Sequence, residues 1–361
     1  MDLEILKSKM IEKNIPFEDI ESTISYACTL KDNGVPVIFD MQHLRRLLNI
    51  SKSDFKRLYF AKNKQYKTIE IPKNNGLGTR MLSIPSIDLK YIQRWILDNI
   101  LYKLEIHDHA VGFVRGKSTV INASYHINQE YILKMDIKDF FPTITTGRVF
   151  GLYKSLGYSS SVALTLTNLC TYNESLPQGA PTSPYISNLI CRNLDLRLDL
   201  LCRKRSLNYS RYADDITLSG GRNVKNTISY VKKILEEEGF NVNEKKTKLI
   251  FKNNRQQITG IVVNEKLSIP KILIKSLRQD IYYMSKFGVE SHLDKTGSKS
   301  KSHVKEHYFG LANYVLMIDR EKGQKILAEL NAIDWNNKTL SSFSCETNLS
   351  FESESQNQER Q

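Results

Sequence analysis

Apolar residues recur at three- and four-residue spacing through the first sixty positions, at Leu3, Leu6 and Met10 and again at Leu44, Leu47 and Leu48. That period predicts helices, interrupted near Gly34-Val35-Pro36, where glycine freedom and the fixed φ of proline end a helix. Between 66 and 85 the pattern shortens to two apolar runs, Ile69 and Ile71, then Met81, Leu82 and Ile84, around the turn-rich stretch Pro72-Lys73-Asn74-Asn75-Gly76-Leu77-Gly78. A hairpin is expected there. Residues 87–105 return to one helical stripe through Leu89, Ile92, Ile96, Ile100 and Leu104.

The middle of the chain alternates. Strands are expected over 131–137, 248–251 and 258–263, a hairpin over 207–219, and helices over 149–156, 183–201 and 224–238, the last stopping at Gly239. From Pro270, a favoured first helical residue, the pattern is helical to about Trp335. The Ser/Lys/Gly-rich stretch 296–302 reads as a loop inside it, and 341–361, rich in Ser, Gln, Asn and Glu, reads as a disordered tail. No internal repeat is visible.

At 361 residues the chain has room for two or three domains, and 40% hydrophobic with 25% charged residues is globular composition. Lys and Arg number 52 against 39 Asp and Glu, a net +13 that favours a polyanionic partner, nucleic acid or an anionic membrane surface. Residues 222–278 alone carry thirteen Lys/Arg against five Glu. No stretch reaches the ~18 apolar residues of a spanning helix, and the mixed acids and bases of the N-terminus leave no signal-peptide core, so no membrane association is expected. Five cysteines, odd in number and without a C-x-x-C pair, indicate neither a disulfide framework nor a zinc site. Reduced thiols in a cytoplasmic protein are the simplest account.

The chemistry lies in acids within apolar settings. In Tyr131–Ile137, strand alternation sets Leu133, Met135 and Ile137 on one face and Lys134 with Asp136 on the other, away from the core. Asp214-Asp215 sits between two apolar runs, as at the tip of a hairpin. An isolated Asp pair is ordinarily a turn or a cap. Three carboxylates held together repel, and divalent cations relieve that repulsion; two Mg²⁺ ions ~3.5–4 Å apart can activate a hydroxyl and stabilise a leaving pyrophosphate.

The neighbouring strings give the acids a context. Tyr212-Ala213-Asp214-Asp215 resembles the signature of reverse transcriptases. Phe113–Ser118 resembles the fingers motif of that family, Asp136–Phe141 its first palm motif, Leu176–Pro184 the next, and Glu238–Thr247 the motif after the catalytic hairpin, in the same order. The resemblance spans about residues 70–265. It implies an α+β right-hand polymerase: an N-terminal helical extension (1–65), fingers (66–130 with part of 145–185), a palm of antiparallel sheet packed on helices (131–268), a helical thumb (269–336) and a polar tail (337–361).

It also implies roles. Asp136, Asp214 and Asp215, with the carbonyl of Ile137, would hold two Mg²⁺ ions, with Mn²⁺ a possible substitute. Lys73, Arg80 and Arg115 would serve the triphosphate or template, and Asp139, Gln178 and Gly179 would lie beside the nucleotide. Phe141 would exclude a 2′-hydroxyl and select dNTPs, its plain alternative being a core ring beside Phe140. Lys246, or Lys245, would donate the proton to pyrophosphate, though both equally suit phosphate contacts. Asn122-Ala123-Ser124-Tyr125-His126 and Ile258-Thr259-Gly260 resemble the N-A-x-x-H and V-T-G marks of the retron subgroup, the second with Ile in place of Val. A buried core histidine and an ordinary strand-end turn are their plain readings. A retron enzyme would recognise its own structured noncoding RNA (msr-msd) through Asn122, His126, Thr259 and Gly260, with Arg278, Lys299 and Lys301 of the thumb on the duplex. It would prime from an RNA 2′-OH to make branched msDNA and would serve antiphage defence with an effector protein. Group II intron-like and abortive-infection reverse transcriptases, which prime differently, are the alternatives, and a non-catalytic RNA-binding scaffold would lack the acids.

Overall fold

Four amphipathic helices open the chain in the computed structural model, which describes residues 2–72, 78–297 and 303–335. They are α1 (Leu3–Glu12), α2 (Phe17–Asp32), α3 (Met41–Leu47) and α4 (Lys52–Phe60). The side chains of Asp2, Asp40 and Ser51 accept from the first free amides of α1, α3 and α4, which fixes where each begins. Strands β1 (Tyr66–Pro72) and β2 (Thr79–Pro85) form the expected hairpin, with Tyr66 opposite Pro85 and Pro72 opposite Thr79. Ser86 caps α5 (Ile87–Asn99), whose Leu89, Ile92 and Ile96 are buried as one stripe.

The remainder of the first unit, which ends at Ser268, is built around a four-stranded antiparallel sheet. In chain order come α6 (Thr119–Ser124), β3 (Tyr131–Asp136), α7 (Phe140–Thr143), α8 (Thr146–Ser155), α9 (Ser160–Cys170), α10 (Ser183–Ile190), α11 (Arg192–Lys204), β4 (Asn208–Tyr212), β5 (Asp215–Gly220), α12 (Ile228–Glu237), β6 (Lys248–Phe251), β7 (Gln257–Ile258) and β8 (Ile261–Val262). The sheet order is β4-β5-β3-β6, and β7-β8 is a separate small hairpin. Leu133 lies between Leu218 and Leu249, and Met135 opposite Ile216. This apolar face joins Leu194, Leu198, Val231 and Leu235 of α11 and α12 in one core.

Three details differ from the periodicity. The single helix expected over 183–201 is two, α10 and α11, joined at Cys191, where neither Gly nor Pro signals a break. Helix α9 has no polar stripe in Ser-Val-Ala-Leu-Thr-Leu-Thr to betray it: its outer side carries the apolar Leu164, 49% exposed, while Thr165 and Thr167 are buried. The strand expected over 258–263 is the β7-β8 hairpin, turning at Thr259 (φ 44°) and Gly260 (φ 88°), a pair of positive values that suits a tight two-residue turn.

The second unit begins at Ile269. It comprises α13 (Lys271–Phe287), α14 (Val289–Thr296), α15 (Val304–Ile318) and α16 (Arg320–Asn331) around a core of its own that includes Leu277, Ile281, Leu293, Val315 and Ile326. Among the described residues no helix is long and apolar enough to cross a membrane.

Candidate active site

Antiparallel pairing brings the three acids together. Asp136 is the last residue of β3 and Asp215 the first of β5, and the register sets them directly opposite each other. Ala213 and Asp214 form the turn between β4 and β5, and the amide of Ile137 donates to the Asp214 carbonyl (2.9 Å), tying the turn to the end of β3. Beyond β3, Lys138 N–H donates to Asn241 O and Asn243 N–H to Asp136 O, both at 2.8 Å. These bonds place the short helical turn Glu244–Lys246 so that Lys246 Nζ donates to Asp136 Oδ2 at 2.7 Å.

Asp136 does face away from the apolar core, as alternation predicts, but its side chain is only 8% exposed because Lys246 and the hairpin cover it. Burial, then the charges of Asp215 and Asp136, push Asp214 up to about 6. Burial lifts Asp215 as well, with Asp136 adding and Lys134 opposing. Partial burial pulls Lys246 down, but its hydrogen bond to Asp136 and the three carboxylates outweigh that and raise it. The site therefore holds more negative charge than one ammonium neutralises.

The donor set suits a hard divalent cation, since every nearby ligand atom is a carboxylate or carbonyl oxygen. Among the described residues no three acid, His or Cys side chains already converge closely enough to hold an ion by themselves. That is compatible with Mg²⁺, which keeps waters and takes substrate phosphates as ligands.

The turn carrying the acids is braced from behind. Arg211, on the core face of β4, makes a two-pronged pair with Asp195 of α11, Nε to Oδ1 and Nη2 to Oδ2 at 2.6 Å each, both side chains fully buried. Its third nitrogen, Nη1, donates to the Ala213 carbonyl at 2.9 Å. Ala213 sits at φ 58°, a left-handed conformation that costs an L-residue about 1–2 kcal/mol. Arg211 holds it there. Tyr209 Oη donates to Asp195 Oδ1 at 2.7 Å and completes the carboxylate's partners. Outside β4, residues 109–112 run alongside, with Val111 N–H donating to Arg211 O (2.8 Å). They pass so close that a Cβ on Gly112 would lie 2.6 Å from Ala213 N.

The family described as "Reverse transcriptase (RNA-dependent DNA polymerase)" matches residues 71–263. The Ec86 retron reverse transcriptase of Escherichia coli is 33% identical over 310 residues, covering 84% of this chain and 92% of that protein. The chain belongs to the bacterial retron reverse transcriptases. The Mx162 retron reverse transcriptase of Myxococcus xanthus is 32% identical over 342 residues, covering 84% of this chain and 68% of that one. Among solved structures, telomerase from Candida albicans with a telomeric RNA fragment aligns at TM-score 0.41 and 14% identity, over 77% of this chain and 62% of that chain. Apo telomerase from Candida tropicalis aligns at 0.42 and 12%, over 79% and 64%.

As a retron reverse transcriptase the chain is an RNA-directed DNA polymerase, with RNA as its template class and a divalent metal requirement general to reverse transcriptases. The residues expected around the nucleotide fall on three segments. Ile137 is buried and pairs with Val242, Asp139 (φ 48°) begins α7, and Phe141 is half-buried with its ring 5.4 Å from that of Phe140. Gln178 and Gly179 lie against β2, where Ser83 N–H donates to Gln178 O at 2.8 Å. Gly179 has φ 128°, and a Cβ there would meet the Ser83 carbonyl at 2.9 Å, so only glycine allows this approach. Arg80 is exposed on β2, and Lys73 lies outside the described residues. Arg115 is engaged by its own neighbours. It stacks on Tyr102 (3.6 Å to the ring centre) and pairs with Asp98 at 2.8 Å.

The two retron marks form one joint. Asn122 Nδ2 lies 3.5 Å from Thr259 Oγ1, which itself donates to Thr119 O at 3.2 Å. His126 has no exposed surface and bridges Ser219 Oγ (2.7 Å) and Ser210 Oγ (2.8 Å), one serine on each strand of the β4-β5 hairpin. Burial lowers its pKa to about 3, so the ring is neutral. The expectation that Asn122 and His126 touch RNA is corrected: they are 1% and 0% exposed and brace the protein's own turns. Thr259 and Gly260 remain at the surface. Arg278 is exposed on α13 of the second unit, while Lys299 and Lys301 lie outside the described residues.

Sequence reading missed Arg211, Asp195, Ser83 and Gly112. A signal for the first pair existed: Asp195 and Asp199 share the apolar stripe of α11 with Leu194, Leu198 and Cys202. An acid on a buried stripe demands a buried partner.

Proposed function

We propose that this chain copies part of its own structured noncoding RNA into branched msDNA, priming from an RNA 2′-OH and using dNTPs. The observation that carries the reading is the convergence of Asp136, Asp214 and Asp215 at one tip of the antiparallel sheet. In this reading these residues, with the Ile137 carbonyl, hold two Mg²⁺ ions, for which Mn²⁺ can substitute. When bound, such ions lower the pKa of the attacking hydroxyl and stabilise the leaving oxygen.

The chain's own groups supply the rest. Gln178 and Gly179 support the nucleotide from the segment that Ser83 fixes. Phe141 walls off the 2′ position. In this reading Lys246, kept protonated beside Asp136, gives its proton to departing pyrophosphate. The second unit serves as the thumb, with Arg278, Lys299 and Lys301 toward the duplex backbone. Cytoplasmic location and antiphage action with an effector protein complete the proposal.

The test combines purified protein, the RNA transcribed from its own locus, Mg²⁺ and radiolabelled dNTPs. Labelled DNA covalently joined to RNA, and resistant to separation until a debranching nuclease is added, is the expected product. Unbranched DNA alone would remove the 2′-OH priming step. Synthesis retained by the Asp214→Asn, Asp215→Asn double variant would overturn the metal site.

A further inference from the structure

The face of the sheet that carries the acids has a second row, one pleat back from the tip. Ser210, Thr217, Lys134 and Lys248 lie across it in strand order β4-β5-β3-β6. Half of that row is roofed: Ser210 is fully buried under His126 and Thr217 is 2% exposed. The other half is open, with Lys134 half-buried and Lys248 exposed on the edge strand β6. The two lysines are direct cross-strand partners. Such partners share a face with Cβ atoms about 5 Å apart, and like charges there are destabilising. Among the described residues no ion pair or hydrogen bond engages either ammonium; Lys134 acts on Asp215 only at a distance. Two cations held side by side without an acid between them form a site for an anion.

We propose that Lys134 and Lys248 bind a backbone phosphodiester of the nucleic-acid strand whose 3′ end lies at the carboxylates. Position separates this strand from the incoming nucleotide. The residues assigned to the nucleotide, Ile137, Asp139 and Phe141, follow Asp136 beyond the end of β3. The lysine row lies on the other side of the acids, two residues back along β3, a distance of about 7 Å. In an in-line transfer the attacking strand and the nucleotide's leaving group occupy opposite sides of the reacting phosphate, and the acids stand between these two sets of residues. Lys246, which touches Asp136, belongs to the acid row rather than to this one. The inference rests on the polymerase reading of the site.

Full-length Lys134→Gln, Lys248→Gln and the double variant test it. Binding of a labelled RNA–DNA hybrid with a recessed DNA 3′ end is followed by anisotropy across a salt series, alongside dNTP KM in extension of the same hybrid. The double variant should bind about tenfold more weakly, with a salt slope shallower by about one to two units, because each lost phosphate contact removes about one. The KM for dNTP should stay within about twofold, and the thermal midpoint should hold or rise as a like-charge pair is removed. Lys248→Gln, on the strand that carries none of the acids, should weaken binding in the same direction without touching the neighbourhood of Asp215. Unchanged affinity and slope would overturn the site, as would a raised dNTP KM with hybrid affinity intact, which would move the lysines to the triphosphate. If the wild-type protein neither binds nor extends the hybrid, the polymerase reading falls. If it does both and the variants match it, only the lysine site falls.

Discussion

Replacing Asp214 by Asn should strengthen the metal-free fold while ending DNA synthesis. Burial and two neighbouring carboxylates push this acid from 3.8 up to about 6. Below pH ~4 the group is protonated whether the chain is folded or not, and it contributes nothing. As pH rises, the unfolded chain ionises first, so a penalty on folding grows through the interval and is complete above about 6. A rise from 3.8 to about 6 corresponds to ~3 kcal/mol, and solvent reaching this half-buried turn reduces it to about 1–2 kcal/mol. Asparagine keeps the shape and removes the charge. Urea denaturation of wild type and variant in EDTA, followed by circular dichroism at pH 4.5 and 7.5, reads the effect. The variant should be the more stable at pH 7.5, and the gap should shrink at pH 4.5. Adding Mg²⁺ should then stabilise the wild type more than the variant, because the ion relieves the same repulsion. A variant less stable than wild type at pH 7.5, or a gap independent of pH, would refute the claim that repelling carboxylates are stored at this tip.

Three other outcomes follow from the bracing of the site. Arg211→Met should cost about 3–5 kcal/mol by leaving Asp195 buried and unpaired. Adding Asp195→Leu should recover much of that stability in urea without restoring synthesis, since the Ala213 carbonyl still lacks its donor. Gly179→Ala should raise dNTP KM at least tenfold and lower the thermal midpoint, because the new Cβ meets Ser83 O at 2.9 Å and φ 128° disfavours any L side chain. His126 should titrate near 3 by NMR, and stability should fall as pH drops from 6.5 toward that value, because the unfolded ring takes up its proton first. His126→Ala should lose about 1–3 kcal/mol through the unpaired serines, yet bind RNA like the wild type at temperatures where it stays folded.

Periodicity was enough for most elements, because a buried face imposes its spacing on the chain. It placed the N-terminal helices, the 66–85 hairpin and the strand ending at Asp136. Where no such spacing exists it was silent: α9 exposes the apolar Leu164 and buries Thr165 and Thr167, and the α10-α11 joint at Cys191 has no breaker residue. The three acids were legible through the strings around them: an Asp pair between apolar runs is ordinarily a turn or a cap, and the resemblance of the ordered strings to the reverse transcriptase motifs is what gave the acids a role.

Their arrangement was not legible. The pairing of Asp136 with Asp215, the buried Arg211–Asp195 pair that braces the turn, and the passage of Gly112 beside Ala213 join residues 79, 16 and 101 positions apart. Local spacing carries no record of such distances. His126 shows the limit most plainly. The resemblance of its string to a retron mark implied an RNA contact, but two serines on separate strands claim both of its nitrogens, as the plain reading of a buried core histidine has it. A residue's type and local pattern set what chemistry it can perform. Burial and partners, which exist only after the chain has folded, decide which part of that chemistry remains available.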